Sequence, residues 1–146
     1  MLPSEPPCSR VSLRCPKVLL VDDDPGVIRG LWRMLQQSRP EYQVNAASGA
    51  AQALEALSEH AYDVVITDLQ MPGGGGRAVL NALIEFYPET ARVVHSSQLE
   101  SSDTLQCEGA HVVVAKPAGE SEMLAAIELA LQRAASEYVP NVLARR

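Results

Sequence analysis

The sequence predicts a doubly wound α/β domain, a five-stranded parallel sheet in a three-layer α/β/α arrangement. Three observations predict it. Five short apolar runs alternate with longer helical segments, the pattern of parallel strands joined by right-handed crossovers. The third run, Val64 to Thr67, is unbroken and apolar, as suits a strand covered on both faces. Carboxylates, a hydroxyl and a lysine stand just after the runs, where open parallel sheets collect their chemistry.

Taken in order, residues 1–16 carry Pro3, Pro6, Pro7 and Pro16 among Ser, Glu and Arg and are expected to be a mobile N-terminal tail. Val18 to Val21 forms the first strand, ended by Asp22-Asp23-Asp24-Pro25. Asp24 as N-cap and Pro25 in the first turn start a helix to about Ser38, with Val27, Ile28, Leu31, Met34 and Leu35 inward. Tyr42 to Ala46 alternates weakly and reads as a short second strand near an edge. Ser48 is the expected cap of a helix through about Glu59, whose stripe is Ala50, Ala53, Leu54 and Leu57. The third strand delivers Asp68, followed by Leu69-Gln70-Met71-Pro72 and the glycines Gly73 to Gly76, expected to form a mobile loop. A helix over Arg77–Tyr87 turns Val79, Leu80, Leu83, Ile84 and Phe86 inward. Arg92 to His95 is the fourth strand, ending in Ser96-Ser97. Gln98 to Cys107 is a short, weakly patterned fourth helix, closed by Gly109. His111 to Ala115 is the fifth strand, followed by Lys116-Pro117. The last helix runs from Glu120 to about Ser136 with Met123, Leu124, Ile127, Ala130 and Leu131 inward. One folded unit, 17–136, is therefore expected, with 137–146 as a C-terminal tail or linker.

Composition narrows the functional classes. A chain of 146 residues with 47% hydrophobic content suits one domain with a single respectable core. A net charge of -6 and a pI near 5.0 argue against nucleic acid or an anionic membrane as a direct partner. Cys8, Cys15 and Cys107 fit no metal-ligand spacing, and their odd number suits reduced thiols. No run approaches a membrane span and no signal-peptide core opens the chain, so a soluble cytoplasmic protein is expected.

Asp22 and Asp23 follow strand one, Asp68 strand three, Ser96 strand four and Lys116 strand five. Each alone has an ordinary reading: a helix cap, a turn serine, a surface Lys-Pro turn. In a doubly wound sheet these strand ends converge on one crevice. Clustered carboxylates hold a proton or bind a hard cation, and oxygen-only ligands suit Mg²⁺. An aspartate beside a metal-bridged phosphoryl donor can become an aspartyl phosphate, with an ammonium and a hydroxyl stabilising the charge that develops.

Val21-Asp22-Asp23-Asp24-Pro25, Asp68-Leu69-Gln70-Met71-Pro72, Ser96 and Lys116-Pro117 together resemble the receiver domain of bacterial two-component response regulators. The resemblance covers about residues 17–136 and implies a flavodoxin-like fold with strand order 2-1-3-4-5. It implies that Asp68 accepts a phosphoryl group from a histidine kinase or phosphotransfer protein. Mg²⁺ is then held by Asp23 directly, Asp22 largely through water, Asp68 and the backbone carbonyl of Gln70. Ser96 turns to the phosphoryl oxygen, Lys116 pairs with Asp68 or its phosphate, and the peptide before Pro117 is a candidate for cis. The protein is then a phosphoacceptor, self-catalysing its phosphorylation and dephosphorylation, rather than a conventional enzyme. Its partners are a downstream effector or an output domain, with a possible homodimer through the face from the fourth to the fifth helix. Arg29 to Leu35 and Arg92 to Gln98 loosely resemble receivers joined to metal-dependent phosphohydrolase-type output domains. Several features depart from the family pattern: Gly74 and Gly75 replace the bulkier residues common after Met-Pro-Gly, and the segment between Ser96 and Lys116 is slightly short. Val113 stands where an aromatic switch residue is usual, and His95 replaces an apolar strand residue, with a packed or hydrogen-bonded histidine expected. These leave two rivals: a degenerate receiver acting as a phosphorylation-independent interaction module, and a small Mg²⁺-dependent phosphatase or phosphotransferase.

Overall fold

A computed structural model describes residues 15–97 and 109–137. The expected helix Gln98–Cys107, most of the N-terminal tail and residues 138–146 lie outside them. Five parallel strands are present, β1 (Lys17–Val21), β2 (Gln43–Ala47), β3 (Val64–Thr67), β4 (Ala91–Ser96) and β5 (Val112–Ala115), in the order β2-β1-β3-β4-β5. The helices are α1 (Pro25–Ser38), α2 (Ala50–Glu59), α3 (Gly75–Phe86) and α4 (Glu120–Glu137). This is the doubly wound sheet that the alternation of elements predicts. No helix of the described residues is long and apolar enough to cross a membrane.

Side-chain alternation along the strands builds one core on each face of the sheet. Val18, Leu20, Ile66 and Val93 face α1 and α4, meeting Leu31, Leu35, Met123, Ile127 and Leu131. Leu19, Val21 and Val65 face α2 and α3, meeting Ala53, Leu57, Val79 and Leu83. Burying each such side chain contributes roughly 1.5–3 kcal/mol before entropy is charged against it. β2 is an edge strand, and only Ala47 of it is fully buried, as its weak alternation implied.

Several expected details are corrected. Leu54 and Ile84 are 39% exposed and Phe86 is 66% exposed, not core. A helix packed on a sheet buries a narrow stripe; in α3 that is Val79, Leu80 and Leu83, and Phe86 ends the helix beyond it. Ser48 does not cap α2, whose N-cap is Gly49. Instead the Ser48 amide and hydroxyl both donate to Gln52 Oε1, at 2.8 and 3.0 Å. Asp24 does cap α1, accepting from the Gly26 amide at 2.8 Å.

The four glycines after Met71 divide into an exposed turn, Gly73 and Gly74, and a buried pair, Gly75 and Gly76, that packs against its surroundings. Pro72–Gly74 forms one 3-10 turn, with Gly73 and Gly74 at φ of 72° and 71°, a region that strains any residue with a Cβ. α3 begins at once, at Gly75 rather than Arg77, and Gly75 and Gly76 are buried. A Cβ on Gly76 would lie 2.2 Å from the Asp68 carbonyl oxygen and 2.4 Å from Leu69 Cα. The first turn of α3 therefore rests on the backbone that carries Asp68.

Candidate functional site

The parallel register gathers the carboxyl ends of the strands at one edge: Val21 pairs with both Ala47 and Thr67, Thr67 with Val94, and Ser96, two residues further along β4, with Ala115. β1 thus delivers Asp22 and Asp23, β3 delivers Asp68, and the residue after β5 is Lys116. Asp22 and Asp68 are buried, whereas Asp23 is exposed. One oxygen from each of the three carboxylates lies within 4.8 Å of the others.

Backbone bonds hold this geometry. The Asp68 amide donates to the Val21 carbonyl at 3.0 Å, and the Asp22 amide to the Ala47 carbonyl at 3.2 Å. The Asp24 amide donates to Asp22 Oδ1 at 2.9 Å and the Gln70 amide to Asp68 Oδ1 at 3.0 Å. Each carboxylate then has its other oxygen turned to one cation: Lys116 Nζ donates to Asp22 Oδ2 at 2.8 Å and to Asp68 Oδ2 at 3.2 Å. Burial alone would lower the Lys116 pKa, but the bonds and charges of Asp22 and Asp68 more than offset it, so the ammonium is held above its ordinary value. The Lys116–Pro117 peptide is cis, and the Lys116 amide donates to the Ser96 carbonyl at 2.9 Å. Ser96 is itself fully buried.

Three carboxylates against one ammonium leave two negative charges uncompensated in a half-buried crevice. Oxygen-only donors of that charge fit a hard divalent cation. Gln70 is exposed beside this crevice.

His95 is 4% exposed, and its Nε2 has no hydrogen-bond partner among the described residues. It is thus packed, as expected, but unsatisfied at that nitrogen. Burial lowers its pKa first and the Lys116 charge lowers it further, against the opposing pull of Asp22, Asp68 and Glu122. Val113 is 41% exposed on β5, opposite Val94.

Sequence reasoning missed two features. One is the close approach of Gly76 to the backbone of Asp68 and Leu69, which a run of glycines can signal as readily as mobility. Arg92 was read as an ordinary strand residue, yet it is buried at the start of β4. It donates from Nε to the Gly109 carbonyl at 2.6 Å and from Nη2 to Glu137 Oε1 at 3.3 Å. A charged residue opening an apolar strand was its one visible signal. A cleft of about 220 Å³, lined by His60, Tyr62, Phe86 and Tyr87 among others, lies beside the start of β3, at the end of the sheet away from the carboxylates.

Comparison with known proteins bears on this arrangement. A family model described as the response regulator receiver domain matches residues 18–128. The transcriptional regulatory protein KdpE of Mycobacterium tuberculosis is 40% identical over 130 residues, which cover 86% of this chain and 56% of that protein. The response regulator GacA of Pseudomonas syringae is 32% identical, covering 89% of this chain and 61% of its own length. The chain therefore spans little more than half of these relatives. Among solved structures, the signal receiver domain of an HD domain-containing protein from Pseudomonas fluorescens superposes with a TM-score of 0.76. It is 28% identical and covers 84% of this chain and 99% of that one.

Proposed function

The chain belongs to the response regulator receiver domains, and from that premise we propose that it is a phosphorelay receiver whose phosphoacceptor is Asp68. The observation that carries the reading is the Lys116 bridge: one ammonium bonded to both Asp22 and Asp68, with Asp23 completing a carboxylate cluster. Residues 17–136 form the receiver unit in this reading, flanked by a tail at 1–16 and a linker at 137–146.

Asp22, Asp23, Asp68 and the backbone carbonyl of Gln70 would hold Mg²⁺, whose charge would neutralise the oxygens of the phosphoryl donor. The protein's own groups do the rest. An Asp68 carboxylate oxygen forms the new bond to phosphorus as the donor's phosphorus–nitrogen bond breaks, and the imidazole of the donor leaves with its electron pair. Lys116 already stands on Asp68 Oδ2, so it can follow the charge from the carboxylate to the phosphoryl oxygens without leaving Asp22. Ser96, at the end of β4, is the hydroxyl that turns to the same oxygens. Asp22, bonded through Oδ1 to the Asp24 amide, keeps the ammonium in place while Asp68 reacts.

The phosphoryl donor is a histidine kinase or phosphotransfer protein. The signal passes to a downstream effector or to an output domain joined through the linker, in the cytoplasm. Self-catalysed phosphorylation and hydrolysis are the extent of the chemistry. The exposure of Val113, where receivers usually carry an aromatic switch, favours a second reading: a phosphorylation-independent interaction module.

Incubation with Mg²⁺ and a small phosphodonor, followed by intact-mass measurement, separates the two. The receiver reading expects a gain of one phosphoryl group in wild type and none in Asp68→Asn. No gain, together with no Mg²⁺-dependent change on adding beryllofluoride, would leave the interaction module standing. Steady turnover of unrelated phosphoesters would point instead to a phosphatase.

A further inference from the structure

At the amino edge of the sheet, remote from the carboxylates, β4, β5 and the end of α4 are joined by a buried polar network. The Arg92 amide donates to His111 Nδ1 at 2.9 Å, and the His111 amide returns a bond to the Arg92 carbonyl at 2.8 Å. His111 Nε2 meets Glu137 Oε1 at 2.5 Å, the Arg92 Nη2 donates to the same oxygen, and Arg133 Nη1 donates to the His111 carbonyl at 2.6 Å. Arg92 and His111 side chains are 5% and 6% exposed, whereas Glu137 is 59% exposed.

This geometry dictates the state of the imidazole. A backbone amide can only donate, so His111 Nδ1 must be unprotonated. The single proton of the neutral ring then sits on Nε2 and is donated to Glu137, which makes the 3.3 Å approach of Arg92 Nη2 to Nε2 a contact between two donors rather than a hydrogen bond. A second proton, on Nδ1, would break the bond from the Arg92 amide and place two cations side by side. We propose that His111 is an acid-releasable latch, which in its neutral form ties the last turn of α4 to the start of β4 and β5. The inference is independent of phosphorylation at Asp68.

The charged groups facing His111 among the described residues are Arg92 from β4 and Arg133 and Glu137 from α4. Burial comes first in lowering its pKa; Arg92 and Arg133 lower it too, against Glu137. A folded-state pKa below the unfolded one means stability that is present above the ordinary imidazole range and lost as pH falls through the folded value.

The test is amide hydrogen exchange of residues 131–137 in the full chain at about pH 8 and about pH 5.5, on either side of the ordinary imidazole pKa, corrected for intrinsic rates and referenced to β3. Wild type is expected to lose roughly five- to tenfold of its protection in the last turn on acidification, the size of one or two lost hydrogen bonds. Glu137→Ala, at an exposed position that leaves the core intact, is expected to show the low protection at both pH values. His111→Gln, which cannot take up a proton, is expected to show no acid-dependent loss. Equal protection of the wild-type last turn at the two pH values, or wild-type protection in Glu137→Ala, would overturn the proposal.

Discussion

Replacing Gly76 by alanine tests how the first turn of α3 positions Asp68. The added Cβ would sit 2.2 Å from the Asp68 carbonyl oxygen, 2.4 Å from Leu69 Cα and 2.9 Å from the Leu69 carbonyl carbon. All three are backbone atoms, so no side chain can swing aside. To reach an ordinary contact, helix and strand end must separate by roughly 1 Å, and overpacking of that kind costs typically about 1–3 kcal/mol. The gain in helix propensity from Gly to Ala, about 1 kcal/mol, acts in the opposite direction. A net loss of up to roughly 2 kcal/mol follows, with Asp68 displaced from Lys116 and its phosphorylation rate reduced at least tenfold, since angstrom-scale misplacement at a reacting group is that costly. Two controls isolate the cause. Gly30 in α1 has nothing within 4 Å of an added Cβ, so Gly30→Ala should stabilise by about 0.5–1 kcal/mol. Gly73 is also open but lies at φ of 72°, so Gly73→Ala should cost roughly 1–2 kcal/mol of backbone strain with little change in phosphorylation. Urea unfolding and phosphodonor labelling of the three variants give the comparison. If Gly76→Ala is as stable and as readily labelled as Gly30→Ala, the close-approach argument fails.

Three further outcomes follow from the same geometry. Lys116→Met removes the cation shared by two buried carboxylates and should destabilise the fold by roughly 2–4 kcal/mol at neutral pH, with partial recovery on adding Mg²⁺; unfolding midpoints with and without the ion check this. Because the folded pKa of Lys116 is raised, with Asp22 and Asp68 outweighing burial, its contribution is full below the unfolded lysine value and lost as pH rises through the folded one, so the variant should show a flatter alkaline limb. His95→Leu should be neutral or stabilising at pH 8, because Nε2 is buried without a partner among the described residues and an apolar group loses nothing there. The folded pKa of His95 is lowered, chiefly by burial; wild type should therefore weaken as pH drops below the imidazole range while His95→Leu does not. Equal acid sensitivity in the two proteins would count against that assignment. Arg92→Leu should cost roughly 2–4 kcal/mol, since Glu137 and the Pro88 and Gly109 carbonyls all lose a donor; a thermal shift under a few degrees would contradict it.

The alternation of strands and helices, and the residues that stand at the carboxyl edge, are legible in the order of residues alone. Both are local properties. Apolar runs such as Val18 to Val21 and Val64 to Thr67 bury wherever they pair; Asp22, Asp68 and Lys116 follow their strands directly in the chain, and Ser96 is the last residue of its own. The cap on α1 was legible for the same reason, because Asp24 reaches an amide two residues away. Only the tertiary structure decided which parts of each helix face meet the sheet, leaving Leu54, Ile84 and Phe86 outside. The crossovers also bring Gly76 against the backbone of Asp68 and Leu69 and set Lys116 between two carboxylates at 2.8 and 3.2 Å. The Arg92, His111 and Glu137 network was illegible because its members are 19 to 45 residues apart, and no local pattern ties a strand-opening arginine to the end of the last helix. The physical division is one of range: burial preference and strand-end placement are written in neighbouring residues, whereas steric contact and charge pairing exist only once the crossovers have brought distant segments together.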